Sequence, residues 1–188
     1  DARVVMQPYR CFFVGPMTKY SGLETRTDTV HMLGIRFLPC GLFRFAPLPL
    51  HELADQRIPS DCLPTIFSDS LTDALGELPS LEARLHFIET YLIRHLYALP
   101  DEAEKRIRYA VDRIERNRGK LPILRLAEET NLCQRQLQRQ FKEFTGFSPK
   151  EYSRIIQFRR AAELLRNADY DDLLSVAIET GYYDVSHL

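Results

Sequence analysis

The feature that most constrains this chain is a short internal repeat fifty residues apart. Leu126-Ala127-Glu128-Glu129-Thr130-Asn131-Leu132 returns as Val176-Ala177-Ile178-Glu179-Thr180-Gly181-Tyr182. Each copy runs from an apolar-Ala pair through Glu-Thr to a residue that tolerates the left-handed backbone conformation, then to a large apolar residue. Each therefore predicts a short helix stopped by a tight turn, and two helix-turn-helix units are the expectation. The first copy continues from Cys133 to Gly146 as a further amphipathic helix. The second reaches Leu188 where its matching helix would begin, so the sequence reads as cut inside that element.

The 188 residues suffice for one large or two small domains, and 45% hydrophobic with 27% charged residues is the balance of a globular protein with a buried core. No apolar run approaches the ~18 residues needed to cross a bilayer, and no signal-peptide pattern opens the chain. A cytosolic protein without a membrane partner is expected. Cys11, Cys40, Cys62 and Cys133 lie far apart, with no C-x-x-C pair and no His at ligand spacing. They are expected to be buried thiols, with neither a metal nor another cofactor. The net charge of −1 carries no hint of nucleic acid, but residues 133–160 differ. There Arg135, Arg139, Lys142, Lys150, Arg154, Arg159 and Arg160 face only Glu143 and Glu151, a local charge of +5. Such a segment is a candidate phosphate-facing surface, although a solvated helix face would carry the same charges.

Residues 1–50 read as strands: Val4 to Met6, Cys11 to Val14 ending at Gly15-Pro16, and His31 to Leu38 ending at Pro39. They suit a small barrel or a cupin-like sheet. Three strands are few for closure and the chain opens on Asp1, so this domain is expected to begin upstream. Residues 46–80 carry Pro47, Pro49, Pro59, Pro64 and Pro79 and predict irregular structure with at most short helices. From Ser80, a plausible N-cap, the period becomes helical, with Leu81, Leu85, Ile88, Leu92 and Leu96 on one stripe up to Leu99-Pro100. That stripe is either a dimer seam or a face packed on the domain's own strands. A domain boundary is placed near Pro100, dividing the chain into 1–100 and 101–188. The next helix is expected from Asp101 to Arg118, with Ala103, Ile107, Ala110, Val111 and Ile114 inward and Gly119 as its stop.

After the first turn, Leu132, Leu137 and Phe141 are expected to point inward, leaving Gln134, Arg135, Gln138, Arg139 and Lys142 outside. Arg can grip guanine O6 and N7 bidentately, Gln can do the same for adenine N6 and N7, and Lys suits phosphate. An ordinary amphipathic helix would show the same polar face. Ser148-Pro149-Lys150-Glu151 is a capping box with Pro at the first helical position. It predicts a helix to near Asn167 with Tyr152, Ile155, Ile156, Ala162 and Leu165 as its apolar stripe. About twenty residues at ~1.5 Å each span roughly 30 Å, close to one turn of B-DNA, so this helix could hold two reading heads in successive major grooves. Asp171 or Asp172 would cap the second unit, which turns at Gly181, and Asp184 would cap its second helix.

These marks occur in order over residues 102–188: Leu126-Ala127, Leu137-x-Arg139-x-Phe141-Lys142, Gly146-Phe147-Ser148-Pro149, Tyr152, Ala161, Leu164-Leu165, Ala177 and Gly181-Tyr182-Tyr183-Asp184-x-Ser186-His187. The segment resembles the DNA-binding domain of the AraC/XylS family of bacterial transcription regulators. The resemblance implies an α+β protein whose partial strand-rich front precedes an all-helical double helix-turn-helix module that binds double-stranded DNA. It carries base contact to Arg135, Gln138 and Arg139, with Gln134 beside them and Ser186 in the second head. Lys142, Lys150 and Arg154 fall to phosphate. Three positions depart from the pattern: Cys133 replaces a usual Ser cap, Gln157 a usual Arg, and Val185 a usual polar residue. Phe13-Val14-Gly15-Pro16, Gly34-Ile35-Arg36-Phe37-x-Pro39-x-Gly41 and Leu53-Ala54-Asp55 resemble, more faintly, a sensor-type domain found ahead of this module. A small effector, a second copy of the chain and RNA polymerase are the further partners that the family brings; no residue here names the effector.

The rival reading is an enzymatic or protein-interaction front half. Catalytic cupin-like barrels cluster His and Glu on strands, whereas His31 and His51 stand alone and His86 and His95 are nine apart on a helix. DNA-repair methyltransferases that share the module carry a cysteine cluster this chain lacks. A non-enzymatic regulator is the expectation.

Overall fold

The computed structural model describes residues 7, 9–19, 22, 24, 27–45, 48–62, 66–96, 101–166 and 173–182. The chain divides into two compact units, Asp1–Pro100 with Phe144–Gly146 and Asp101–Glu143 with Phe147–Leu188. Among the described residues the protein is mostly helical, with one small sheet.

In the first unit, β1 (Phe12–Val14) pairs antiparallel with β2 (Arg57–Pro59), Phe13 opposite Ile58. Helix α1 (Asp69–Glu77) and helix α2 (Leu81–Arg94) follow. Phe13, Phe67 and Leu71 are the buried centre, and Phe37, Phe45, Phe87, Tyr91 and Leu92 pack around them. Phe13 and Phe67 meet edge to face at 5.3 Å, the arrangement that the ring quadrupoles favour. The Tyr91 hydroxyl donates to the Ile66 carbonyl at 2.6 Å and so satisfies its polar end.

The strand-rich expectation for this unit needs correcting. His31 to Leu38 forms no strand: Met32 is 67% and Leu38 82% exposed, and only Phe37 turns into the core. A strand is stable only when a neighbouring edge takes its N–H and C=O groups, and none of the described strands lies beside this one. The described sheet has two strands of three residues, which supports neither a barrel nor a cupin-like fold. Val4 to Met6 lie outside the described residues. The strand at Arg57–Pro59 was not legible, because three residues ending in Pro show no alternation. The α2 stripe is also corrected. Ile88 is buried and Leu92 packs inward, but Leu81, Leu85 and Leu96 are exposed, because Phe87 and Tyr91 turn the core-facing side. The Ser80 cap forms, its Oγ accepting from the Ala83 N–H at 3.2 Å. The helix ends at Arg94, short of Leu99-Pro100, which fall among residues not described.

The second unit is helical: α3 (Glu102–Arg116), α4 (Ile123–Glu129), α5 (Gln134–Thr145), α6 (Pro149–Arg166) and α7 (Leu173–Thr180). Helix α3 starts on Asp101, whose Oδ1 accepts from the Glu104 N–H at 2.7 Å. Its apolar positions recur at three and four, so Ile107, Ala110, Val111 and Ile114 form one buried face. Helix α6 packs against both α3 and α7. Leu126, Leu137 and Phe141 are fully buried, as their spacing requires. On α6 the buried residues are Tyr152, Ser153, Ile156, Ala161 and Leu164, while Leu165 is exposed. The expected stripe therefore holds at its start and shifts by one residue at its end, where α7 sets the packing. Gly119 ends the α3 turn at φ +75, and a Cβ there would stand 2.3 Å from the Ser153 carbonyl oxygen. Only glycine lets the chain pass so close to α6.

Phe141→Ala is expected to cost about 3–5 kcal/mol of unfolding free energy. Urea unfolding of the full chain, followed by helical circular dichroism, measures it. A loss under about 1 kcal/mol would place the ring outside the core.

Candidate nucleic-acid interface

The repeat becomes a repeated piece of geometry. Thr130 and Thr180 are both buried at the ends of their helices. Thr130 Oγ1 donates to the carbonyls of Leu126 and Ala127 at 2.8 and 3.1 Å, and Thr180 Oγ1 to those of Val176 and Ala177 at 2.6 and 3.2 Å. Next come Asn131 at φ 54 and Gly181 at φ 89, both left-handed as the sequence predicts. The Leu132 N–H then donates back to Ala127 at 3.0 Å, and the Tyr182 N–H to Ala177 at 2.8 Å. The Asn131 and Gly181 N–H groups reach Glu128 and Ile178, each at 3.1 Å. These are two Schellman stops, each with its last carbonyls satisfied and its outgoing chain turned sharply.

Helix α5 leaves the first stop. The Gln136 side-chain oxygen accepts from the Cys133 N–H at 3.2 Å, the returning half of a capping box, so the segment retains an N-terminal cap despite its cysteine. With Leu137 and Phe141 inward, Gln134, Arg135, Gln138, Arg139 and Lys142 are all exposed. Positions 135, 138, 139 and 142 follow at three, four and seven residues, which puts them on one stripe. The capping box of α6 also forms: the Ser148 N–H donates to Glu151 at 2.7 Å, and the Glu151 N–H donates to Ser148 Oγ at 3.2 Å. The Ser148 hydroxyl, then its N–H, hold the Glu151 carboxyl below its ordinary pKa, and Lys142 and Arg154 add to the effect. Lys150 and Arg154 are exposed on the first turns of α6. At 18 residues and ~1.5 Å each, α6 is about 27 Å long. Gln157, one of the departures from the family pattern, lies against both flanking turns. A Cβ on Gly119 would meet its Cγ at 2.8 Å, and one on Gly181 its Nε2 at 3.1 Å.

An electrostatic clamp that the sequence reading missed sits at the corner between α4 and α5. Arg113 of α3 grips Glu129 with two bonds, Nε to Oε2 at 2.6 Å and Nη2 to Oε1 at 3.0 Å. Arg125 adds a third at 3.1 Å, and the Tyr109 hydroxyl approaches at 3.4 Å. Arg113, with help from Arg125, pulls the Glu129 pKa from its ordinary 4.5 down to about 2. The second copy shows a looser version, with Arg160 of α6 reaching Glu179 at 3.5 Å. The repeated Glu before Thr and the i,i+4 spacing of Arg125 and Glu129 were the available signals; Arg113 and Arg160 lie 16 and 19 residues from their glutamates and form no local pattern.

Ser186, Asn167, Asp171, Asp172, Asp184 and Val185 fall outside the described residues. Cys11, Cys62 and Cys133 are free thiols, and Cys62 and Cys133 are exposed rather than buried; Cys40 is buried. His31, His51 and His86 are exposed, and His95 lies over the Tyr91 ring with Nδ1 2.8 Å from the Tyr91 carbonyl. Among the described residues no three His, Cys, Asp or Glu side chains group as metal ligands. None of the described helices is long and apolar enough to cross a membrane.

Residues 126–188 match the family model described as a helix-turn-helix domain, and residues 2–59 match a domain of unknown function, DUF6597. Neither a curated protein nor a solved structure is significantly similar to the chain.

Two outcomes test this geometry. Asn131→Gly should be tolerated, while Asn131→Val should cost about 1–2 kcal/mol, because a β-branched residue resists positive φ. Thermal melts of the two variants compare them directly. Because folding lowers the Glu129 pKa, the clamp's stabilisation is complete above about pH 4.5 and is lost as the pH falls toward about 2. Unfolding measured across that range should therefore show an acid-sensitive arm that Glu129→Gln reduces. An identical acid profile in the variant would mean that the clamp contributes nothing.

Proposed function

We propose that this chain is a DNA-binding transcription regulator of the AraC type, its residues 126–188 matching a helix-turn-helix domain, and that it reads its operator first with the exposed stripe of α5. In this reading α5 enters a major groove. Arg135 and Arg139 pair with guanine edges, Gln134 and Gln138 with adenine, and Lys142, Lys150 and Arg154 set the register on the phosphates. The observation that carries it is the alignment of 135, 138, 139 and 142 on one exposed face of a helix held from behind by Leu137 and Phe141. The second Schellman stop supports a second head that uses Ser186 and enters the next groove. Effector response belongs in this reading to the amino-terminal unit, as does pairing with a second copy. Among the described residues of that unit, a cleft of about 200 Å³ is lined by Gln7, Arg10, Cys11, Phe12, Pro59, Asp61 and Asp69. Contact with RNA polymerase would let the bound protein regulate transcription.

Selecting bound sequences from random duplex DNA with the full chain tests the reading. Two half-motifs one helical turn apart are expected; a single short motif would remove the second head. On the selected duplex, Arg139→Ala should cost about 1–3 kcal/mol and relax one base pair. Lys150→Ala should weaken all duplexes alike and lower the salt slope by about one. Equal losses on specific and random DNA for Arg139→Ala would end its base-reading role.

A further inference from the structure

We propose that Glu129 is a selectivity residue: by engaging Arg125 it keeps a cation beside the reading head from binding phosphate indiscriminately, and through Arg113 it holds α4 at the angle that aims α5. This rests on the reading of α5 as the base-reading helix.

A carboxylate at the end of a helix opposes the helix dipole, so Glu129 does not stabilise α4 by its position alone. Its partners are what keep it there. Arg113 approaches as a two-bond fork, the arrangement that a guanidinium makes best with a carboxylate or a phosphate. Arg125 is 64% exposed on α4, the helix that in a helix-turn-helix crosses the DNA backbone. Without Glu129, Arg125 would present its fork to any phosphate, whatever the sequence. The same placement recurs independently in the second copy, where Glu179 stands before the terminal Thr of α7 and meets Arg160.

Titrating the full chain with the selected operator and with a scrambled duplex of equal length, over a range of salt, decides it. Glu129→Gln should bind the scrambled duplex about threefold or more tightly, steepen its salt slope by about 0.9, and cut the operator-to-scrambled ratio about tenfold. Adding Arg125→Ala to that variant should return the slope to its original value. Weaker binding to both duplexes with an unchanged slope would overturn the proposal and leave Glu129 a purely structural residue. If Glu129→Gln does not fold, Arg125→Ala alone should leave the salt slope unchanged, and a shallower slope would overturn the proposal. Failure of the base-reading assignment shows separately, as an Arg139→Ala chain that keeps the full operator-to-scrambled ratio.

Discussion

A threonine hydroxyl that takes the last carbonyls of its own helix is the contact on which the second unit depends. Thr130 Oγ1 bonds to Leu126 and Ala127, and the backbone of Asn131 and Leu132 bonds to Glu128 and Ala127. A helix whose carbonyls are already satisfied gains nothing by continuing, and the left-handed Asn131 turns the chain away. The direction of α5 follows from that turn. Leu137 and Phe141 then fall inward, and the polar stripe at 135, 138, 139 and 142 has only the outside left to it. The second copy repeats the stop with Thr180 and Gly181, so the same turn is built twice.

Charge is distributed with the same economy. Basic residues cluster on α5 and the start of α6, and two of the acids near them are engaged: Glu151 closes the α6 capping box and Glu129 holds Arg113 and Arg125. Partly shielded, forked pairs of this kind give more than exposed ion pairs such as Lys105–Glu102, which solvent and salt screen. The near-neutral chain thus presents a locally positive surface, and DNA recognition needs only the local charge.

Local devices were the legible part. The repeat, the Ser80 and Ser148 caps, the left-handed Asn131 and the outward α5 set depend on neighbours within four residues, so they appear in the order of the letters. Stripes were legible only in part. On α2, Phe87 and Tyr91 displaced Leu81 and Leu85 from the core, since a helix offers several apolar faces and the partner selects among them. The segment from His31 to Leu38 has the composition of a strand, yet β pairing needs a second edge that no sequence window contains. The Arg113 and Arg160 clamps were illegible for the same reason: each joins helices whose approach is set by packing.

The sequence by itself determined where the two short helices stop, at Asn131 and Gly181, where α6 begins, and which side chains of α5 would face outward. Those choices are made by hydrogen bonds and side-chain spacing within a turn or two. Only the tertiary structure decided which apolar face of α2 and α6 is covered, that His31 to Leu38 stays unpaired, and that Glu129 lies in the grip of two arginines. These outcomes depend on which surfaces meet across long stretches of chain, and burial and charge pairing act only after the surfaces have met.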